Sequence, residues 1–338
     1  MIRIVIAEDS STARQLLVAI LSSDLELCVV GEAKNGIEAV ELTKQLKPDL
    51  VTMDIQMPLL DGLEATRRIM IESPTPIVIV SSLDAREVSA TMHALNAGAL
   101  AVLSRPRGPL DPHFEGKARQ FLVTLKAMAQ LKIVRRWPKP VGPVETLVSS
   151  TPMRLVAIAA STGGPAALRH LLAELPPTFA PPILVVQHIA DGFAQGLADW
   201  LNTIGSLRVK VAQHGERLRP HTVYLAPDDQ HLAVWDGAVR LDDDPPIAGF
   251  RPSGTHLFHA VAAEYGVGGV GIILSGMGQD GVHGLAELRD RGGTVIAQDA
   301  ASSEIFGMPG AAVAAGVVDH VLALNGIAPY LIARARSS

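Results

Sequence analysis

Twice along this chain, short runs rich in Val, Ile and Ala alternate with stretches of helical periodicity, and no other feature constrains the fold as strongly. The first set of strand-like runs is IRIVIA, CVVGEA, LVTMDI, PIVIVSS and ALAVLSR, with helical patterns near 11–22, 36–46, 62–71 and 85–97. Strands that alternate with helices cross over right-handed and build a parallel sheet covered on both faces. A doubly wound α/β domain is therefore expected over 1–125. Beyond Pro106, the helical pattern GKARQFLVTLKAMAQLKIV runs into RRWPKPVGPVETLVSSTP, whose four prolines and lack of apolar periodicity are linker composition. The helix end and linker are placed at 126–151. A second alternation follows from Leu155: LVAIAAS, PILVVQHI, RVKVAQ, TVYLAP, HLAVW, VGGVGIILSG, GTVIAQD and VVDHVLAL. Around WDGAV the Asp-Gly pair suits a type I′ turn, so 152–338 reads as a parallel-sheet α/β domain with an antiparallel edge hairpin.

Composition agrees with two cores. A chain of 338 residues with 48% hydrophobic content is long enough for two ordinary domains. No segment offers the roughly 18 uninterrupted apolar residues of a membrane span, and MIRIVIAEDS is too short and acidic for a signal peptide, so a cytoplasmic location is expected. The single cysteine, Cys28, excludes an intrachain disulfide and fits a reducing compartment; its neighbours in LCVVG make it a buried strand residue. A net charge of −5, without helix-turn-helix or zinc-finger spacing, argues against a nucleic-acid-binding face.

In parallel sheets ligands collect at the carboxyl ends of the strands. Glu8 and Asp9 end the first strand, Asp54 the third, Ser81 the fourth and Arg105 the fifth. Three carboxylates on one rim repel one another, and a hard divalent cation such as Mg²⁺ with oxygen ligands relieves that.

The residues EDS, MDIQMPLLDG, VIVSS and SRP resemble a response-regulator receiver domain, a flavodoxin-like fold. The resemblance implies that Asp54 accepts a phosphoryl group from a histidine kinase, that Glu8 and Asp9 join Asp54 in holding Mg²⁺, and that Ser81 and Arg105 bind the phosphoryl group and switch. Pro58 and Gly62 shape the loop after the acceptor. The chain departs from the family in having Arg105 where a lysine is usual, and Glu8-Asp9 where two aspartates are commoner.

In the second domain, RLVAIAASTGGPAALRHLL sets Ser161 between a strand and a helix. The serine could cap that helix, act as a nucleophile, or belong to a phosphate cradle, and the local motif alone does not choose. Neither GxxxxGK[ST] nor GxGxxG after a strand is present. His188 ends PILVVQHI, and Asp280 lies in the glycine-rich loop after VGIILSG, so all three occupy comparable strand ends, where a nucleophile, a base and an orienting carboxylate can meet. Each also has a structural reading: a hydrogen-bonded strand-end histidine, and an aspartate capping the helix that starts DGVHGLAEL.

Together STGGP, VVQHI, GERLRPHTVYLAPDDQHL, RPSGTHLF and LSGMGQDG resemble the catalytic domain of the chemotaxis protein-glutamate methylesterases, a family that joins this domain to an N-terminal receiver. The resemblance implies Ser161 as nucleophile, His188 as base and acid, Asp280 as its orienter, and the amides of Thr162 and Met277 as oxyanion donors, with no cofactor at that site. It further implies methylated chemoreceptors or related signalling receptors as substrates, deamidation of receptor glutamines as a second activity, and relief of inhibition by the receiver on phosphorylation. The basic residues around Trp137 read as a solvated helix end or as a contact for an acidic receptor surface. The competing interpretation is a non-enzymatic, receiver-linked binding regulator with a vestigial triad.

Overall fold

In the computed structural model, residues 1–81, 94, 97–106, 108, 114–130 and 152–336 are described. The helix expected near 85–97 lies almost wholly outside them, as do the linker residues up to 151 and Trp137. The chain divides into two compact units, Met1–Arg136 and Trp137–Ser338, and the division falls inside the stretch read as linker.

The first unit alternates β1 (Ile2–Ala7), α1 (Ser11–Ser22), β2 (Leu27–Ala33), α2 (Gly36–Leu46), β3 (Leu50–Met53), α3 (Gly62–Glu72), β4 (Ile77–Ser81) and β5 (Ala101–Ser104), and adds α4 (Phe114–Ala129). All five strands are parallel, in the order β2-β1-β3-β4-β5, the doubly wound arrangement with its switch point between β1 and β3. The helices start where the sequence supplies caps: Ser10, Asn35 and Asp61 each accept from an amide in the first turn of α1, α2 and α3. Cys28 sits in β2 with a free thiol and is half-buried rather than buried, because β2 is the sheet's edge.

The second unit contains β6 (Leu155–Ala160), α5 (Gly164–Glu174), β7 (Ile183–Gln187), α6 (Ala194–Asn202), β8 (Arg208–Val211), β9 (Thr222–Leu225), β10 (His231–Trp235), β11 (Ala238–Asp242), α7 (Gly254–Tyr265), β12 (Gly269–Ile273), α8 (Val282–Asp290), β13 (Thr294–Gln298), α9 (Met308–Ala314), β14 (His320–Leu322) and α10 (Leu324–Arg336). Seven strands form one parallel sheet, β14-β13-β12-β6-β7-β9-β8. The antiparallel pair β10–β11 is present as a two-stranded sheet of its own beside it, turning at Asp236 (φ 49°) and Gly237 (φ 69°), the left-handed pair of a type I′ turn. Two strands are shorter than their apolar runs. Gly266–Gly268 winds into a 3₁₀ turn before β12, and Val317 and Val318 pack on the core ahead of β14 instead of pairing.

β6 lies mid-sheet with all six residues buried, and β7 and β12 flank it. Such strands read as continuous apolar runs because helices cover both faces. Ser161, His188 and the loop to Asp280 leave the carboxyl ends of these three neighbours.

One close approach tests the receiver's loop geometry. A Cβ on Gly62 would lie 1.9 Å from the Asp54 carbonyl oxygen. Gly62→Ala is expected to lower receiver stability by about 1–3 kcal/mol through overpacking, read as a shifted urea midpoint for the receiver with the second domain's transition unmoved.

Candidate active site

Register brings the first two groups together. Ala160 on β6 is paired with Gln187 on β7, so Ser161 and His188 are the next residues of adjacent parallel strands, which run about 4.8 Å apart. The His188 amide donates to the Ala160 carbonyl at 2.9 Å, and the Ser161 amide donates to Ser275 O at 3.0 Å on the other side. The side-chain amide of Gln187 donates to the carbonyls of both Ser161 (2.7 Å) and His188 (2.8 Å), tying the two strand ends together. Among the described residues the Ser161 hydroxyl makes no hydrogen bond, so the serine and histidine are neighbours whose mutual bond is not formed here. Such bonds tighten with substrate in place.

Ser161 is not a helix cap. The N-cap of α5 is Gly163, which takes no side-chain bond and adopts φ 76°, a left-handed conformation that suits glycine. Asp280 does not cap α8 either; Gly281 holds that position. Instead the Asp280 carboxylate sits on the start of α7, accepting from the amides of Gly254 (2.6 Å) and Thr255 (3.1 Å), from the Ser253 hydroxyl (2.7 Å), and from His188 Nε2 (2.9 Å). Burial alone would raise its pKa, but His188, Ser253 and the Gly254 amide outweigh it and hold the carboxyl well below the usual carboxylate range. The positive end of α7 acts in the same direction.

An ionised carboxylate only accepts, so His188 Nε2 carries the proton. In the neutral ring Nδ1 is then the lone-pair nitrogen; it is buried and has no hydrogen-bond partner among the described residues. Phe250 stacks on the imidazole at 4.1 Å between ring centroids and 5° between planes, fixing the ring. Behind Asp280, the Ser253 amide donates to His231 Nδ1, His231 stacks on His256 at 4.5 Å, and His256 pairs with Asp242. Ser253 thus gives the RPS segment a definite contact. Gln187 and Phe250 are additions: a polar Gln inside an apolar strand is a usable sequence signal, whereas nothing in the sequence marks Phe250. The amides of Thr162 and Met277 donate no hydrogen bond among the described residues, as an oxyanion site requires; those of Gly163 and Gly278 are equally unengaged.

At the receiver's rim, carboxylate oxygens of Glu8, Asp9 and Asp54 come within 4.8 Å of one another. Arg105 pairs with Glu8 at 2.7 Å and reaches Asp54 at 3.4 Å. Burial, then the Asp54 charge, push the Glu8 carboxyl up to about 7 against the pull of Arg105. Three carboxylates against one guanidinium leave an all-oxygen donor set short of positive charge, which fits a hard divalent cation. Ser81 is fully buried at the end of β4, and its carbonyl accepts from the Arg105 amide at 3.0 Å.

Two outcomes follow from the carboxylate on α7. Ser253→Ala is expected to cost about 1–3 kcal/mol of catalytic-domain stability, measured by urea unfolding, because one donor to a buried charge is lost. Asp280 has a lowered folded-state pKa, so its contribution is complete above the unfolded value of about 4 and disappears as pH falls below it; unfolding midpoints between pH 4 and 2 should therefore fall more steeply for the natural chain than for Asp280→Asn.

Comparison with known proteins agrees with both halves. The CheB methylesterase family model matches residues 156–331, and that of the response regulator receiver domain matches residues 4–111. The chain is 55% identical to protein-glutamate methylesterase/protein-glutamine glutaminase 4 of Myxococcus xanthus, across 100% of this chain and 98% of that one. It is also 55% identical to protein-glutamate methylesterase/protein-glutamine glutaminase 3 of Anaeromyxobacter dehalogenans, across 98% of each. The crystal structure of the Thermotoga maritima CheB methylesterase catalytic domain aligns with a TM-score of 0.52 at 37% identity, covering 54% of this chain and 99% of that one. By sequence along its whole length and by fold in its second half, the chain belongs to the CheB methylesterase family and carries a response regulator receiver domain ahead of the family's own domain.

Proposed function

We propose that this chain hydrolyses glutamyl γ-methyl esters on chemoreceptors or related signalling receptors, and deamidates receptor glutamines, through an acyl-enzyme on Ser161 that the receiver regulates. The observation that carries the reading is the state of His188: one ring nitrogen is bound to a charged, buried carboxylate while the other is a buried acceptor without a partner, one strand over from a serine hydroxyl.

The chemistry needs no further parts. Ser161 Oγ attacks the γ-carbonyl carbon as its proton passes to His188 Nδ1, and Asp280 stabilises the imidazolium. The amides of Thr162 and Met277 receive the oxyanion. The tetrahedral adduct collapses, methanol leaves with the proton from Nδ1, and an acyl-Ser161 ester remains. Water then gives a proton to Nδ1 and its oxygen to the acyl carbon; the serine departs with that proton and glutamate is released. A glutamine side chain enters the same sequence with ammonia as the leaving group.

In the receiver, Glu8, Asp9 and Asp54 would hold Mg²⁺, whose charge offsets that of a phosphoryl group delivered by a histidine kinase. Asp54 accepts the phosphoryl group, and Ser81 and Arg105 bind its oxygens. The ion pairs of Arg105 with Glu8 and Asp54 put a positive charge where the family's lysine is usual, in a wider, planar group. Phosphorylation raises the hydrolase rate. No helix among the described residues is long and apolar enough to cross a membrane, and we place the enzyme in the cytoplasm, beside its receptors' signalling ends.

Methanol release from methylated receptor membranes tests both halves. Ser161→Ala is expected to lower release by about 10³-fold or more, and a small phosphodonor with Mg²⁺ to raise it in the natural chain. Arg105→Ala should keep basal release and lose the phosphodonor response. Release undiminished in Ser161→Ala would overturn the acyl-enzyme, and no release from an authentic substrate would favour a binding regulator.

A further inference from the structure

Glu304 is a carboxylate that the catalytic scheme does not use. It lies between β13 and α9; the residue as a whole is exposed, but its carboxylate end turns in against the nucleophile turn, and it makes no hydrogen bond or ion pair among the described residues. Its neighbours fix its place: the Ser303 amide donates to Asp299 O at 3.1 Å, the Ile305 amide donates to Ser275 Oγ at 2.9 Å, and Gly276 bridges to Phe306. Its side chain lies against the nucleophile turn. A Cβ on Gly163 would lie 2.7 Å from Glu304 Oε2, 2.8 Å from Glu304 Cβ and 2.8 Å from Ser275 Oγ. Gly163 follows Thr162, the proposed oxyanion donor, and Ser275 Oγ donates to the Thr162 carbonyl at 2.8 Å. The carboxylate is therefore packed two residues from the nucleophile, beside the place where the acyl group must sit.

Enclosure of that carboxylate end against the Gly163 turn, rather than burial of the whole residue, pushes the Glu304 carboxyl up to about 7, and no neighbouring charge contributes. Of the titratable groups on the elements that meet here, His188 and Asp280 are bound to each other and the Asp299 carboxylate accepts from Ser302; α5 carries Arg169, which lies over the Trp200 ring, and the pair His170–Glu174, all beyond its first turn, and α9 carries none.

Resting on the esterase reading above, we propose that Glu304 is a specificity-determining residue of the acyl site: when ionised it disfavours a second negative charge there, so the neutral ester or amide is held in preference to the carboxylate product. Substrate and product differ at the reacting group by one negative charge, since the ester is neutral and the glutamate is ionised throughout the neutral range. A fixed carboxylate in a partly screened cleft opposes a second one about 10 Å away by roughly tenfold in binding.

The test compares the full-length natural chain with Glu304→Gln, which keeps shape and removes charge. KM for methylated receptor membranes and the inhibition constant of the same membranes after exhaustive demethylation are measured at pH 6 and pH 8.5. The ratio of inhibition constant to KM is expected to rise about tenfold more in the natural chain than in Glu304→Gln; His188 is present in both and its effect cancels. Glu304→Asp should retain most of the difference, and Glu304→Ala should behave as Glu304→Gln. In ¹³C spectra of δ-labelled glutamate two resonances should titrate near 7, those of Glu8 and Glu304, and one of the two should vanish in Glu304→Gln while the other stays. Equal pH responses of the ratio, with Ser161-dependent turnover intact, would overturn the role of Glu304 alone. Turnover that survives Ser161→Ala would overturn the esterase reading and this proposal with it.

Discussion

The catalytic half of this molecule depends on one buried charge. Asp280 sits at the start of α7 with two backbone amides, a serine hydroxyl and an imidazole aimed at it; the first three come from the consecutive residues Ser253, Gly254 and Thr255, and the fourth from His188 at the end of β7. A carboxylate in so dry a position is costly unless its lone pairs are engaged. Once they are, the charge dictates the state of its neighbours: His188 must present an N–H to it, and in the neutral ring the opposite nitrogen is left as an acceptor. The arrangement converts helix geometry into a definite tautomer.

The parallel sheet supplies the remaining placement. Adjacent parallel strands bring the residues just beyond their ends side by side, and Gln187 ties two of those ends together through the carbonyls of Ser161 and His188. Both domains use the same principle with different chemistry. In the receiver, acids at the ends of β1 and β3 and a base after β5 converge on one rim, where Arg105 meets Glu8 and Asp54. In the hydrolase, a hydroxyl, an imidazole and a carboxylate converge from β6, β7 and the loop after β12.

Much of this was legible in sequence because strand ends are marked by where apolar runs stop. The positions of Asp54, Ser161 and His188 follow from that alone, and the Asp-Gly pair announced the β10–β11 turn. The edge of a run was less legible: VGGVGIILSG reads as one strand, yet its leading Val267 and Gly268 lie in a 3₁₀ turn, which no periodicity reveals. Least legible were long-range partners. Ser161 and Asp280 each precede a helix, and capping was a fair reading of either; glycines hold those caps, while Asp280 serves a helix whose start lies 26 residues earlier in the chain. Phe250 stacks on a histidine 62 positions away (250 − 188), from a loop whose sequence carries no periodic signal.

The central claim is that His188 Nδ1 is the base because Asp280 holds Nε2–H. Long-range ¹H–¹⁵N NMR of the histidine-labelled, substrate-free chain near pH 8 tests it directly. The predicted result is a His188 ring with a protonated, strongly deshielded Nε2 and an unprotonated Nδ1, a pattern lost in Asp280→Asn. A His188 ring protonated at Nδ1 would contradict the account, since the nitrogen assigned to take the proton of Ser161 would already carry one.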